Sequence, residues 1–195
     1  MAVVSNALCT FEEFLLYNEG NQYKSAGDSD SLIKELINYK TQEIHNYCGV
    51  VQFKSRQYTE RYDGIYSDKL FVNKTPIISI SSIYDDVDWN FTSDTLIDSS
   101  NYVIDTSKKY IQLKPGYIFN CGSQNIKIIY TAGYETIPND IKLVCIKEVT
   151  REFRRRINFD VSAVTLNDGN ISYVEKGLLK SSKDILDKYR TIGIC

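Results

Sequence analysis

The stretch IKIIYTAGYETIPNDIKLVCIKEVTREFRRR, residues 126–156, contains the transition that decides the fold. Its apolar and β-branched start predicts a β-strand, and the sheet ends at Gly133-Tyr134. Pro138 then stands where a helix begins, because the first helical position needs no N–H, and Asp140 suits the positive end of the helix dipole. Helical spacing predicts a helix to about residue 157 with a buried face made of Ile141, Val144, Cys145, Val149 and Phe153.

The residues before the sheet predict two helices. Thr10 and Glu13 have the spacing of a capping box and open a short first helix. A second helix starts at Ser29 or Asp30, because apolar residues recur behind it at helical spacing. It ends at Gly49, which stands where a C-terminal glycine cap belongs.

Residues 50–133 are rich in Val, Ile, Tyr, Phe and Thr, with turn-forming residues at short intervals. No helical segment separates the predicted strands, so we expect antiparallel pairing. Pro76 lacks an N–H for the ladder, which places it at a strand start or on a sheet edge. The segment 85–100 predicts a long acidic loop or hairpin tip. The predicted strands are 51–62, 69–73, 76–84, 101–105, 109–113 and 124–132.

The C-terminal part predicts a hairpin and a final helix. Residues 161–174 have the pattern of a hairpin that turns at Asn167-Asp168-Gly169-Asn170, and the last helix starts near Ser181 or Ser182. The predicted fold class is α+β: a small α-helical bundle with an antiparallel β-sheet insertion between the second and third helices, plus the C-terminal hairpin and helix. We expect a single domain, 1–195, in which 1–49 and 134–195 are mainly helical and 50–133 form the β insertion.

Composition excludes several classes of protein. The chain has 23 basic and 25 acidic side chains and a formal net charge of −2, whereas a generic DNA coat needs a strong positive excess. No apolar run approaches the ~20 residues of a membrane helix. No basic segment precedes the apolar residues of the N-terminus, so we predict no signal peptide. Five scattered cysteines without a C-x-x-C pair predict free thiols in a reducing compartment.

The sequence has no recognisable catalytic or cofactor motif. His45, the single histidine, shares a helical face with Cys48, a spacing that suits two of the four ligands of a zinc site. The chain supplies no second pair at a suitable spacing, which favours a structural role for both residues. Asp85, Asp86 and Asp88 offer oxygen ligands for a hard cation, yet they lack the alternating ligands and central glycine of an EF-hand, which favours a solvated loop. We predict no catalytic residue, metal or cofactor, and no enzyme. A metal-dependent hydrolase at these aspartates is the weaker alternative.

The end of the third helix is strongly basic. Its cationic residues share one helical face at a spacing of three to four residues, and they are Lys147, Arg151, Arg154 and Arg155, with Arg156 next to them. One interpretation is a solvated face that complements the helix dipole and pairs with Glu148 and Glu152. The other is a contact to an anionic partner, either a phosphate backbone or an acidic neighbour, for which arginine supplies forked contacts.

Three segments carry a family resemblance, and together they cover roughly residues 28–157. They are DSLIKELINYKTQEIHNYCG, KLFVNKTPIISISSIY and the opening stretch IKIIYTAGYETIPNDIKLVCIKEVTREFRRR. Their order and spacing resemble the head–tail connector proteins of tailed bacteriophages, which are also called adaptor or head-completion proteins.

The resemblance implies a structural virion protein of the phage neck, assembled in the host cytoplasm. Such adaptors form a homo-oligomeric ring beneath the portal protein, commonly of twelve copies. The ring extends the channel for packaged double-stranded DNA and provides the docking platform for neck or tail completion proteins. No membrane partner is implied. A nucleic-acid-binding module that uses the basic end of the third helix is the alternative function.

The resemblance also implies roles for particular residues. The candidates for the subunit interface or the DNA channel are Lys147, Arg151, Arg154, Arg155 and Arg156. The candidates for portal docking are Ile192, Gly193, Ile194 and Cys195. The candidates for contact with a neighbouring subunit or the tail are Asp85, Asp86, Asp88 and Trp89.

Overall fold

The computed structural model describes residues 2–18, 27–155, 163–166, 169–172 and 177–190. It divides the chain into two compact units. The helical unit consists of the residues up to Phe53 and from Ile137 onward, and the β unit consists of Lys54–Thr136. The predicted insertion, 50–133, has boundaries three or four residues away from these. That the whole chain is a single domain stays a prediction.

The helical unit contains the helices α1, α2, α3 and α4. Their bounds are Phe11–Tyr17, Gly27–Cys48, Asn139–Arg155 and Lys180–Leu186, and a 3₁₀ turn, Asp187–Tyr189, follows α4. The β unit contains β1 to β6, with the bounds Arg56–Gly64, Lys69–Phe71, Ile77–Asp85, Tyr102–Ile104, Tyr110–Leu113 and Gly122–Ala132. The C-terminal hairpin consists of β7, Ala163–Leu166, and β8, Gly169–Ser172. The element order confirms the predicted fold class.

Local sequence signals set the helix ends. The Thr10 side chain accepts a hydrogen bond from the Glu13 N–H at 3.1 Å, and the Glu13 carboxylate accepts one from the Thr10 N–H at 2.9 Å, so the predicted capping box is present. Gly49 has a φ of 67° directly after α2, the left-handed conformation in which a glycine ends a helix without steric cost.

The β unit consists of two antiparallel three-stranded sheets with the orders β1-β6-β3 and β2-β5-β4. In the first sheet Tyr58 lies opposite Tyr130, and Ile83 lies opposite Ile128. β3 is an edge strand that begins directly after Pro76, which confirms the predicted position of this proline. The predicted antiparallel pairing is also confirmed.

Alternating residues of the two sheets form one apolar core in the β unit. It contains Leu70, Val72, Ile77, Ile83, Ile111, Leu113, Phe119, Ile126, Ile128, Tyr130 and Ala132. The hydroxyl of Tyr130 is a polar group within this cluster, and it donates a hydrogen bond to the Glu60 carboxylate at 2.5 Å. Each inward side chain removes apolar surface from water, which is the main favourable term in folding.

The predicted strand 51–62 is wrong in its first five residues, since β1 begins at Arg56. Phe53 is instead buried in the helical unit, where its ring centroid lies 5.5 Å from that of His45 and 6.1 Å from that of Tyr189. Burial of one aromatic ring therefore outweighs the strand preference of the residues around it.

The third helix is the centre of the helical unit, where it packs against α1, α2 and α4. The buried face predicted from the sequence is confirmed, because all five of its residues are buried. The face is wider than predicted, since Ile146, Glu148 and Thr150 are buried as well. Polar groups are therefore enclosed on α3, and they need partners within the unit.

Candidate interaction surfaces

The basic end of α3 separates into exposed and internally bonded side chains. Lys147 and Arg154 are exposed, and Arg155 is half-buried. The Arg151 guanidinium instead donates to the Glu148 carboxylate at 2.7 Å and to the Gly177 carbonyl oxygen. Among the described residues of this cluster, Lys147 and Arg154 are thus the two whose side chains are most exposed to solvent. Arg156 lies outside the described residues.

Glu148 is fully buried and joins α3 to the segment that leads into α4. Its carboxylate accepts hydrogen bonds from the Leu179 N–H at 3.0 Å and the Ser182 hydroxyl at 2.5 Å, in addition to those from Arg151. Four polar contacts at one carboxylate satisfy a charge that would otherwise be costly to bury. Arg151 and Glu148 thus act as a structural pair that fixes the C-terminal segment.

The sequence predicted that the basic face of α3 pairs with Glu148 and Glu152. Glu148 does pair with this face, through Arg151. Glu152 faces α2 instead, where its carboxylate lies 3.3 Å from the Lys40 ammonium. Lys40 is buried and has a second carboxylate partner, Glu43, at 2.7 Å. Two carboxylates around one buried ammonium compensate its desolvation and tie α2 to α3.

The acidic segment after β3 is a structured loop. Asp86 is buried, and its carboxylate accepts hydrogen bonds from the N–H groups of Asp88 at 2.9 Å and Phe91 at 2.7 Å. Desolvation raises the pKa of Asp86, but these backbone donors more than offset it, so the pKa lies below its ordinary value. Asp86 therefore holds the loop together as an ionised carboxylate.

Asp85, Asp88 and Trp89 have different environments in this loop. Asp85 accepts hydrogen bonds from the Asn120 N–H at 2.7 Å and the Asn125 side chain at 2.9 Å. Asp88 and Trp89 are exposed, and the Trp89 indole N–H donates to the Ser123 carbonyl oxygen at 2.9 Å. Of the four predicted contact residues, Asp88 and Trp89 thus face solvent, whereas Asp85 and Asp86 are bonded within the unit.

The His45–Cys48 pair lies inside the helical unit. Both side chains are fully buried, and desolvation lowers the pKa of His45 to about 4 and raises the pKa of Cys48 to about 11. The Cys48 thiol donates a weak hydrogen bond to the Leu186 carbonyl oxygen at 3.8 Å. In the described part of the chain, no group of three or more His, Cys, Asp and Glu side chains is placed to hold a metal ion.

Other sequence-based expectations concern the ends of the chain and its cysteines. The portal-docking candidates Ile192–Cys195 lie outside the described residues. Cys9, Cys48 and Cys145 are free and buried, and Cys121 is free and exposed. Within the described ranges, no helix has the length and apolar character needed to cross a membrane.

Sequence reasoning missed the role of Glu148. The sequence placed it beside the buried face of the third helix, but only as one partner of the basic cluster. The available signal was its spacing of three residues from Arg151, which puts the two side chains on one helical face. Its other partners, Leu179 and Ser182, are more than thirty residues away and cannot be found from local spacing.

A sequence profile of the head completion protein family matches residues 7–192 of the chain. The chain belongs to the head completion protein family. This match confirms the resemblance to head–tail connector proteins that three segments of the sequence indicated, and it confirms the predicted class of function, a structural protein. A search of curated proteins finds no matching relative.

The fold of this head completion protein is similar to that of chains in three solved particle structures. A chain from the virion of a native gene transfer agent (GTA) particle is 14% identical with a TM-score of 0.62, and the match covers 100% of this chain and 95% of that one. A chain from the neck of an empty GTA particle with C6 symmetry is 13% identical with a TM-score of 0.59, at the same coverages of 100% and 95%. A chain from the neck of a native GTA particle with C12 symmetry is 10% identical with a TM-score of 0.55, and the match covers 100% and 96%.

Proposed function

We propose that this head completion protein is a neck adaptor that forms a ring of identical copies beneath the portal of a phage-like particle. The observation that carries the proposal is the family match, which extends over residues 7–192. The similarity of its fold to chains in GTA necks, solved with C6 and C12 symmetry, supports a ring and a copy number of twelve. In this proposal the ring assembles in the host cytoplasm, extends the channel for double-stranded DNA and becomes part of the virion neck.

In the proposed ring, Lys147 and Arg154 supply charge to the DNA channel or to a neighbouring subunit. Both side chains are exposed on α3, with Arg155 beside them. A few cations per subunit, repeated around a ring, form a belt that attracts phosphates without reading bases. Such a surface lets a duplex slide, which suits a channel better than tight sequence-specific binding. Arg151 contributes indirectly, because its guanidinium positions the segment before α4.

Two further contacts belong to the proposal. Ile192–Cys195 are the portal-docking segment implied by the resemblance. Asp88 and Trp89 contact a neighbouring subunit or a tail component, and their exposure supports this role. Asp85 and Asp86 act in the same contact by holding the loop in shape.

Electron microscopy of the full chain mixed with the portal protein of the same particle tests the proposed function. We expect a ring bound to one end of the portal. Absence of any complex at micromolar concentrations contradicts the proposal.

Assembled particles test the charged belt. The double variant Lys147→Glu/Arg154→Glu should still form the ring but retain less packaged DNA, because reversed charge repels the phosphates. The control Lys34→Glu/Lys188→Glu changes the net charge equally elsewhere in the helical unit. Equal DNA retention by the two variants contradicts a channel role for Lys147 and Arg154.

A further inference from the structure

The β unit has two distinct ends. Because β6 runs antiparallel to both β1 and β3, the last residues of β1 and β3 meet the first residues of β6 at one end, which we call the distal end. Asn125 ties this end together: its side chain accepts from the Gly64 N–H at 2.9 Å and donates to Asp85 at 2.9 Å. The opposite, proximal end is where the chain enters the unit at Lys54 and leaves it at Thr136.

The distal end exposes large apolar side chains. They lie on the three loops that meet there, are each between 48% and 74% exposed, and are Ile65, Tyr66, Val87, Trp89, Tyr117 and Ile118. Hydrogen bonds join the loops, from the Phe119 N–H to the Ser67 carbonyl oxygen and from the Trp89 indole to Ser123. Clustered exposed apolar and aromatic side chains mark protein–protein contact surfaces.

The backbone of the distal end is strained at its aromatic residues. Tyr66 and Trp89 have φ values of 55° and 61°, and Gln124 has 50°. Bulky residues rarely adopt this left-handed conformation, and such strain concentrates at functional positions. Both of these aromatic side chains are exposed to solvent.

The net charge at the distal end is negative. The acidic residues there are Asp63, Asp68, Asp85, Asp86 and Asp88. The cations are Lys69 and Lys114, together with Arg61 and Lys127, which lie 4.7 Å and 5.3 Å from the centroid of the Phe91 ring. None of the salt bridges formed among the described residues involves these aspartates. Asp63, Asp68, Asp85 and Asp86 accept hydrogen bonds from backbone or amide groups of the β unit, and Asp88 is exposed. The excess of acidic groups therefore lies beside the apolar side chains of the distal end.

The charge at the proximal end is mainly positive. Arg56 pairs across the ladder with Ala132, the last residue of β6, and the Lys108 carbonyl oxygen accepts from the N–H of Ile77, the first residue of β3. Exposed cations therefore gather at this end, and they are Lys54, Arg56, Lys108 and Lys109. Their acidic neighbours at the same end are Asp105 and Glu135. The two ends of one unit thus have complementary charge.

We propose that the distal end of the β unit in one copy docks on the proximal end of the β unit in the next copy. A contact between two different surfaces of identical chains is heterologous, and repetition of it closes into a ring when the rotation allows. The exposed apolar side chains supply contact area, and the opposite charges fix the orientation and speed the encounter. This inference rests on the ring proposed above and names the surfaces that build it.

Cross-linking of the full chain tests the contact. Cys121 is an exposed thiol at the distal end, and Lys109→Cys adds a thiol at the proximal end, in a Cys195→Ser background. A cross-link within one chain adds no second chain to the product, so bands at multiples of the chain mass report only cross-links between chains. We expect a ladder of covalent oligomers, whereas the parent chain without Lys109→Cys forms none.

A charge variant identifies the surface. Arg56→Glu/Lys108→Glu, added to the cross-linking variant, should lower the ladder yield by about fivefold, because like charges then face each other. The matched control Lys34→Glu/Lys188→Glu should leave the yield unchanged. An equal yield in both variants overturns the proposed docking.

Electron microscopy of the unaltered chain with portal, set beside the cross-linking result, separates this inference from the proposed function, because Cys195→Ser changes a residue of the proposed portal-docking segment. A ring with a ladder supports both. A ring without a ladder overturns the docking contact and leaves the adaptor function intact. A ladder without a ring supports the contact and contradicts the adaptor function, and the absence of both overturns both.

Discussion

The helical unit buries charge between its elements, whereas the core of the β unit is apolar and contains no charged side chain among the described residues. Lys40, His45 and Glu148 are buried among the helices, and each of the two charged groups contacts a distant segment. The core of the β unit is a continuous apolar cluster. A buried charge tolerates few alternative partners, so it specifies which segment docks, while an apolar core mainly supplies stability.

The largest effect that we predict comes from Glu148→Ala in the helical unit. The variant leaves the Arg151 guanidinium, the Leu179 N–H and the Ser182 hydroxyl without their shared acceptor. Breaking a buried ion pair from one side costs on the order of 4 kcal/mol of unfolding free energy. Urea unfolding followed by helical circular dichroism measures this loss.

Glu12→Ala is the control for this prediction, because Glu12 is an exposed glutamate. Glu12→Ala should change the free energy of unfolding by no more than about 0.5 kcal/mol. Equal losses of unfolding free energy in Glu148→Ala and Glu12→Ala would show that Glu148 does not hold the helical unit together. Buried charge would then not distinguish the helical unit from the β unit.

The matching change in the β unit is Ile128→Ala. Ile128 is fully buried at the centre of the sheet, so the variant removes apolar contacts and leaves a cavity without stranding any charge. We expect a loss of about 3 kcal/mol. The fluorescence of Trp89, the single tryptophan, reports the unfolding of the β unit. Thr59 is exposed on β1, so the control variant Thr59→Ala should change the midpoint of unfolding little. A similar shift of the midpoint in both variants contradicts the assignment of Ile128 to the core.

Local patterns predicted the elements of both units but not the groups that join distant segments. The capping box at Thr10, the glycine at position 49 and the buried face of α3 follow from spacing alone. Phe53 belongs to the helical unit because of contacts that no short window contains. The same limit hides the partners of Glu148.

The candidate surfaces were partly predictable for a related reason. Charge runs are visible in a sequence, and both the acidic loop and the basic helix end were found in this way. Exposure is a property of the folded chain, so the sequence could not distinguish Arg154, which faces solvent, from Arg151, which does not. Nor does it show that loops distant in sequence meet at the distal end.

Asn125→Ala tests whether a buried polar group also stabilises the β unit, because Asn125 is buried at the edge of the apolar core of that unit. Its side chain serves Gly64, Asp85 and the Asn120 carbonyl oxygen. Loss of these bonds leaves buried donors and acceptors unpaired, for which we expect about 2 kcal/mol of destabilisation by urea unfolding. Asn90 is exposed, so Asn90→Ala is the matched control and should lose little stability. If Asn125→Ala loses as little unfolding free energy as Asn90→Ala, the structural role of Asn125 is contradicted.

His45 gives the smallest and most specific prediction, a dependence of the helical unit on pH. Burial lowers the pKa of His45 to about 4, and neither ring nitrogen has a hydrogen-bond partner among the described residues. In the unfolded chain the imidazole gains its proton near its ordinary pKa of about 6.5. The unfolded state therefore binds more protons between these two values, and stability falls as the pH decreases from about 6.5 to about 4, by at most about 1.4 kcal/mol per pH unit.

His45→Leu should remove this dependence, because the chain has no other histidine. The variant keeps every carboxylate, so the difference in unfolding free energy between the parent and His45→Leu isolates the imidazole. Urea unfolding at several pH values from 7 to 4.5 should give two curves that diverge as the pH falls, with the parent chain losing more. Parallel curves mean that His45 is protonated as readily in the folded unit as in water. That outcome contradicts the burial of the His45 ring in the helical unit.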